Sequence, residues 1–223
     1  MKILSIIASC FTTLLFCTHA SATIVSGNVT GGTSLTQGGS FIKLSTPFTD
    51  SNPGNTVGQN NFQTPNFYGF DEGQNITLAA DINVDLLANT STSGSISAGS
   101  TVASHYIFFD PKNTTTQQGS ITFDSNIYGV ITSTVNLGAS DFLINTGVNY
   151  LNPTLRGLES NDSVNISSDL KTISVNWTAD NPGDYIRVLT DFSPAAVAVP
   201  VPATLWLFAF SLLGFLGFRR KTV

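Results

Sequence analysis

Outside the first 22 residues of this 223-residue chain there is one histidine, His105, and no cysteine, because Cys10 and Cys17 both lie near the start. A hydrolase triad built on His105 needs a hydroxyl nucleophile on one side of the ring and a carboxylate on the other. Residues 102–109 are apolar on both alternating faces, with Ala103, Ile107 and Phe109 on the side of the histidine. That setting predicts a hydrogen-bonded core histidine, no catalytic residue and no enzyme. A metal site of imidazoles or thiolates lacks its ligands. Asp81, Asn83 and Asp85 copy the opening of an EF-hand loop, but Leu86 stands where that loop needs Gly and Thr92 where it needs Glu. On a strand these three side chains read as a solvated face. Asp110, Asp162, Asp180 and Asp184, in turns, are the remaining Ca²⁺ candidates, although turn aspartates usually cap backbone amides. The reading is therefore no metal and no cofactor. Arg156, Glu159, Asp162 and Arg187 read as a buried ion-pair cluster. Tyr68, within Asn66-Phe67-Tyr68-Gly69-Phe70, and Tyr150, beside Asn152-Pro153, are candidates for a ligand loop that stacks on sugar rings.

The elements that must position these residues read as strands. Ile76, Leu78, Ala80, Ile82, Val84 and Leu86 alternate with polar neighbours over eleven positions, and Ile173, Val175, Trp177 and Ala179 alternate with Thr172, Ser174, Asn176 and Thr178. Trp177 shares its face with Ile173 and Val175 and is assigned to the core. Further strands are predicted over residues 41–45, 102–109, 121–123, 127–132, 142–144 and 185–190. Asn181-Pro182-Gly183-Asp184 has the Pro and Gly placement of a type II turn. Short strands with turn signals between them and no helical periodicity predict an all-β fold, an antiparallel β-sandwich of jelly-roll or Ig-like type. The sandwich spans residues 23–192, of which 23–70 reads as the loop-rich part. All 14 acidic residues fall between Thr23 and Pro194, against five basic ones, Lys43, Lys112, Arg156, Lys171 and Arg187. That imbalance excludes nucleic acid and anionic membrane surfaces as partners.

The two ends carry addresses. Lys2, an apolar run to Phe16 and Ala20-Ser21-Ala22 form a secretory signal peptide over residues 1–22, with cleavage before Thr23. At the other end, a Pro/Ala-rich linker over 193–202 leads into an uncharged apolar helix over 203–218 and a basic tail over 219–223. At about 1.5 Å per residue that helix nearly spans a bilayer core. Arg219, Arg220 and Lys221 hold its end in the cytoplasm by the positive-inside rule.

The order Val199-Pro200-Val201-Pro202-Ala203, apolar helix, Arg219-Arg220 resembles the PEP-CTERM sorting signal in its Val-Pro-x-Pro-Ala variant, with Val201 where Glu is commonest. The resemblance implies recognition by an exosortase, a membrane-embedded Cys protease. It places the Sec translocon, signal peptidase and the inner membrane on the route, with transient anchoring there and release to the cell surface or extracellular matrix. Within the exported part, Ser104-His105-Tyr106-Ile107-Phe108-Phe109-Asp110-Pro111, Arg156-Gly157-Leu158-Glu159 and Pro182-Gly183-Asp184 resemble a β-rich module of secreted bacterial proteins, which implies fold and location and no chemistry. The leading expectation is a structural or interaction protein of the matrix or biofilm. The alternative is a carbohydrate-binding module acting on exopolysaccharide. The same kind of tail occurs on some ice-binding proteins, but Thr114-Thr115-Thr116 and the other threonines here lack the periodic spacing that a flat ice-binding array needs.

Overall fold

Two stretches that are apolar on both faces, Thr101–Phe109 and Asp184–Asp191, pair antiparallel at the centre of the largest sheet and are buried almost from end to end. A strand can be apolar on both sides only if something covers both sides, and the rest of the architecture supplies those two covers. The computed structural model describes residues 22–192.

In chain order the strands are β1 (Ile24–Gly31), β2 (Phe41–Lys43), β3 (Thr56–Val57), β4 (Phe67–Asp71), β5 (Ile76–Thr77), β6 (Ile82–Val84), β7 (Leu86–Leu87) and β8 (Gly94–Ile96). They continue as β9 (Thr101–Phe109), β10 (Thr115–Phe123), β11 (Ile127–Ile131), β12 (Asn149–Tyr150), β13 (Ser163–Ile166), β14 (Thr172–Ala179) and β15 (Asp184–Asp191). Helices among the described residues are short: α1 (Gly32–Thr36), α2 (Thr134–Ala139) and two 3₁₀ turns. One sheet has the order β1-β10-β14-β13. The larger runs β2-β4-β9-β15-β11-β7, with β5 also on β9, and two-stranded pairs β12-β3 and β6-β8 lie apart. The predicted all-β, mainly antiparallel character holds, with one correction: β2 with β4 and β3 with β12 are parallel.

The four-stranded sheet lays one face against the larger sheet. Its strands keep the alternation read from the sequence: in β14, Ile173, Val175, Trp177 and Ala179 are buried and Ser174, Asn176 and Thr178 exposed. Trp177 meets Phe67 of β4 edge to face, with ring centroids 5.5 Å apart. Ile121, Phe123, Ile107, Phe109, Ile186 and Val188 complete this inter-sheet core. The other face of the larger sheet carries a second core. Tyr68, Phe70, Tyr106, Phe108 and Tyr185 project from its strands and are roofed by Phe48, Phe62, Leu137, Leu143 and Val148 from connections and short helices. Those connections are a layer of the fold.

Three expectations are corrected. The eleven-residue strand over 76–86 is broken into β5, β6 and β7. Leu78, Ile82 and Val84 still face the core, but Asp81 turns to accept the Ala98 amide at 2.8 Å. Asp85 accepts the amides of Thr132 and Ser133, at 2.7 and 2.8 Å, and so fixes the start of α2. Residues 142–144 are not a strand: Asp141–Leu143 is a 3₁₀ turn that buries Leu143 and leaves Phe142 exposed. The start of the part read as loop-rich is a strand: β1 pairs antiparallel with Gln118–Phe123 of β10. The predicted signal peptide over 1–22, except Ala22, the linker over 193–202, the transmembrane helix over 203–218 and the basic tail over 219–223 lie outside the described residues. Among the described residues no helix is long and apolar enough to cross a membrane.

Trp177→Ala would empty the centre of the inter-sheet core. Truncation of a buried aromatic costs about 3–5 kcal/mol, so the urea midpoint should fall by the corresponding amount with an unchanged slope.

Candidate functional site

The sorting residues Val199, Pro200, Val201, Pro202 and Ala203, the basic residues Arg219, Arg220 and Lys221, and Ala20 all lie outside the described residues. Ala22 is buried. Thr23, next to it, donates its backbone amide to Asp124 Oδ1 at 2.9 Å and its hydroxyl to Asp71 Oδ2 at 2.8 Å.

His105 does sit between a hydroxyl and a carboxylate. One ring nitrogen lies 3.0 Å from Thr190 Oγ1 and the other 2.8 Å from Asp71 Oδ1. The contacts are those of a triad, but the location is not that of an active site. His105 and Thr190 are both fully buried, and the ring packs on Phe123 with centroids 4.9 Å apart. A substrate carbonyl has no approach to the threonine oxygen. Asp71 continues the chain outward to Lys43, 2.9 Å away. Burial pushes the Asp71 carboxyl up, but hydrogen bonds and charge from His105 and Lys43 outweigh it and hold the group down at about 2. The element that sequence reasoning missed was Asp71, which β4 brings opposite His105 in register.

Neither candidate sugar-stacking tyrosine is offered to solvent as a platform. Residues 66–70 are not a loop: most of them form β4, where Tyr68 is 2% exposed and stacked on Phe108 at 5.2 Å. Its hydroxyl pairs with Thr64 Oγ1 at 2.8 Å. Tyr150 is half-buried in β12, edge-on to Tyr106, and donates its hydroxyl to Glu72 Oε1 at 2.8 Å.

The arginines form an ion-pair network, with other partners than those read from the sequence. Arg187 grips Glu72 with two nitrogens, at 2.7 and 3.0 Å, and both side chains are wholly buried. Ser104 donates to the same carboxylate at 2.6 Å. Arg187 also donates to the Leu137 carbonyl and to Ser140 Oγ at the end of α2. Arg156 grips Asp141 through two nitrogens, at 2.9 and 2.7 Å, and Asp141 lies 3.4 Å from Arg187. Glu159 and Asp162 are elsewhere, gathered with Asp184.

In that second acidic group one carboxylate oxygen from each of Glu159, Asp162 and Asp184 lies within 4.8 Å of the others. Asp162 is held by the Thr178 amide at 2.8 Å and the Glu159 amide at 3.0 Å. Asp184 is 1% exposed, and neither of its oxygens receives a hydrogen bond. It is fixed there by β15 and by the turn before it, where Gly183 takes φ +91°. A Cβ at Gly183 would stand 2.6 Å from the Phe109 carbonyl oxygen. Glu159 and Asp184 line a cleft of about 240 Å³ together with Thr178, Asp180 and Asn181, and Asp162 stands beside them. None of the ion pairs among the described residues reaches these acids. Burial, then the charges of Asp162 and Glu159, push the Asp184 carboxyl up to about 9. Asp162 is raised as well, first by burial.

Residues 198–221 match the family model described as the PEP-CTERM protein-sorting motif. No curated protein and no solved structure matches the chain. The chain carries the sorting motif, which marks it as exported, anchored through its C-terminal tail and sorted by an exosortase to the surface.

Two outcomes follow from the buried charges. Glu72→Gln removes the close, buried counter-charge of Arg187 and leaves it only Asp141 at 3.4 Å, so it should cost about 3 kcal/mol in urea unfolding. A joint Arg187→Met, Glu72→Leu change should recover much of that loss. The folded pKa of Asp184 lies above its unfolded value of about 4. The folded chain therefore keeps a proton that the unfolded chain has released, and stability falls as pH rises from about 4 to 9. Asp110, raised by burial to about 6 just after β9, adds loss of the same sign over the acid end of that range. In chelator-treated buffer, Asp184→Asn should remove up to about 1.4 kcal/mol per pH unit of this slope. Its gain in urea midpoint should be larger at pH 8.5 than at pH 5.

Proposed function

We propose that this chain is a non-catalytic protein of the cell surface or extracellular matrix. Its β-rich domain, read as a β-sandwich of jelly-roll or Ig-like type, is the cargo of the sorting signal and takes a structural or interaction role, including a place in biofilm. The observation that carries the reading is the sorting motif at 198–221, joined to a domain with no cysteine after position 17. The route is Sec export with a signal peptide over 1–22, cleavage by signal peptidase, transient inner-membrane anchoring through 203–218 and exosortase processing.

Two features support it. The histidine-centred arrangement, the strongest catalytic resemblance among the described residues, is sealed in the core. Cleavage after Ala22, on the emerging chain before the domain closes, would turn the Thr23 amide into an ammonium facing the Asp124 carboxylate 2.9 Å away. A new charge would thus be created opposite a partner already in place. The carbohydrate-binding alternative draws nothing from Tyr68 or Tyr150, whose rings pack against other aromatics.

Mass spectrometry of the protein from its native envelope tests the route. The expected mature species starts at Thr23 and lacks the apolar helix and basic tail, while a strain without exosortase activity keeps them. Pro200→Ala with Pro202→Ala should block processing in the same way. Recovery of a C-terminus intact through Val223 from wild-type cells would overturn the reading.

A further inference from the structure

The turn that leads out of β14 into β15 is where the chain crosses from the four-stranded sheet to the larger one. Asp184 is the first residue after the crossing, and Glu159 and Asp162 lie just ahead of β13 on the other sheet. The acidic cleft is therefore a seam between the two sheets. Two carboxylates, Glu159 and Asp184, line it and that of Asp162 lies within 4.8 Å of both, while Asp184 is buried with both oxygens lacking any donor. A buried charge with neither partner nor donor is costly, and the neighbouring groups are acceptors too.

We propose that Glu159, Asp162 and Asp184 bind a Ca²⁺ ion that ties the two sheets together at this crossing. The donors are all hard oxygens, the type Ca²⁺ selects, and no nitrogen or sulfur ligand of the kind zinc prefers lines the cleft. Oxygens held to one Ca²⁺ at about 2.4 Å lie at most about 4.8 Å apart, and the three carboxylates meet that limit. Mg²⁺ demands a tighter octahedron and keeps most of its water. The roles divide by burial. Asp162 is pre-positioned by two amides with lone pairs to spare. Asp184 brings the buried charge, and exposed Glu159 swings to complete the site. Asn181 and Asp180 on the rim, with water, fill the remaining coordination positions. A sheet-to-sheet ion link suits a domain with no cysteine after position 17, which cannot use a disulfide there.

The test is thermal unfolding of the chain purified in detergent, followed by intrinsic fluorescence at pH 7.5. Samples carry chelator, 10 mM CaCl₂, 10 mM MgCl₂ or NaCl of equal ionic strength. Extracellular Ca²⁺ sites bind with dissociation constants of about 10⁻⁴–10⁻³ M, so Ca²⁺ should raise Tm by about 3–10 °C over the NaCl control. Mg²⁺ should have a much smaller effect, and calorimetric titration should give one ion per chain. Asp184→Asn keeps the shape and needs no proton taken up on folding, so it should fold, melt higher than wild type in chelator and show no Ca²⁺ shift. Glu159→Gln should weaken binding at least about tenfold, the loss of one charged ligand. A wild-type Tm that responds to CaCl₂ no more than to NaCl would overturn the proposal, the three acids then sharing a proton only. So would a Ca²⁺ shift that survives Asp184→Asn.

Discussion

The pairing of Arg187 with Glu72 is the constraint on which the layered arrangement depends. Both side chains are fully buried, and withdrawing two charges from water costs several kcal/mol per ion unless geometry and hydrogen bonds repay it. Here they do: the guanidinium is bidentate on the carboxylate, Ser104 and Tyr150 fill further acceptor positions, and the Leu137 carbonyl, the Ser140 hydroxyl and Asp141 take the remaining arginine protons. The guanidinium also lies 5.8 Å from the Tyr106 ring centre. Each partner comes from a different part of the chain, so the pair closes only when β15, β9, the segment after β4, α2 and β12 are all in place. A buried pair of this kind contributes more to uniqueness than to net stability, because apolar residues could fill the same volume more cheaply.

That requirement explains why the connections are ordered. A loop of 23 residues between β2 and β4, broken only by two-residue β3, would ordinarily lie over the surface. In this chain it delivers Leu44, Phe48, Val57 and Phe62 to the second core. Asp110 Oδ2 accepts the Phe62 amide at 3.0 Å, and the Asn145 side chain reaches Thr46. Apolar packing and specific polar contacts agree on one placement, the consistency across levels that distinguishes a unique fold from a collapsed one.

The sequence disclosed what is local and hid what is assembled. β14 was legible because its period of two is unbroken, and β9 and β15 because apolar residues on both faces leave a strand only one place to go. The terminal addresses were legible for a related reason: their receptors read contiguous residues. Residues 76–86 carried the same alternation as β14 and misled, since Asp81 and Asp85 satisfy distant amides at 98, 132 and 133 that no local pattern shows. Tyr68 misled by composition, because Asn66 and Gly69 read as loop residues while the register opposite Phe108 makes a strand. The partners of Arg156 and Arg187 were out of reach for the same reason. The sequence offered Glu159 and Asp162 nearby, and only the chain path selects Glu72 and Asp141.

The two histidine- and acid-based clusters make an instructive contrast, because both look like chemistry in outline. In the Thr190–His105–Asp71 chain every polar atom has a partner and the carboxylate is held low, so the arrangement is at rest: it has no unspent capacity and no opening. Around Asp184 the situation is reversed. Two buried oxygens face other acceptors across a cleft that opens to solvent, and the carboxyl is driven high. Geometry resembling a catalytic motif thus carries less functional information than the state of satisfaction of its atoms. A satisfied buried network is a structural solution already reached, whereas an unsatisfied one that lines a cleft has a site to offer.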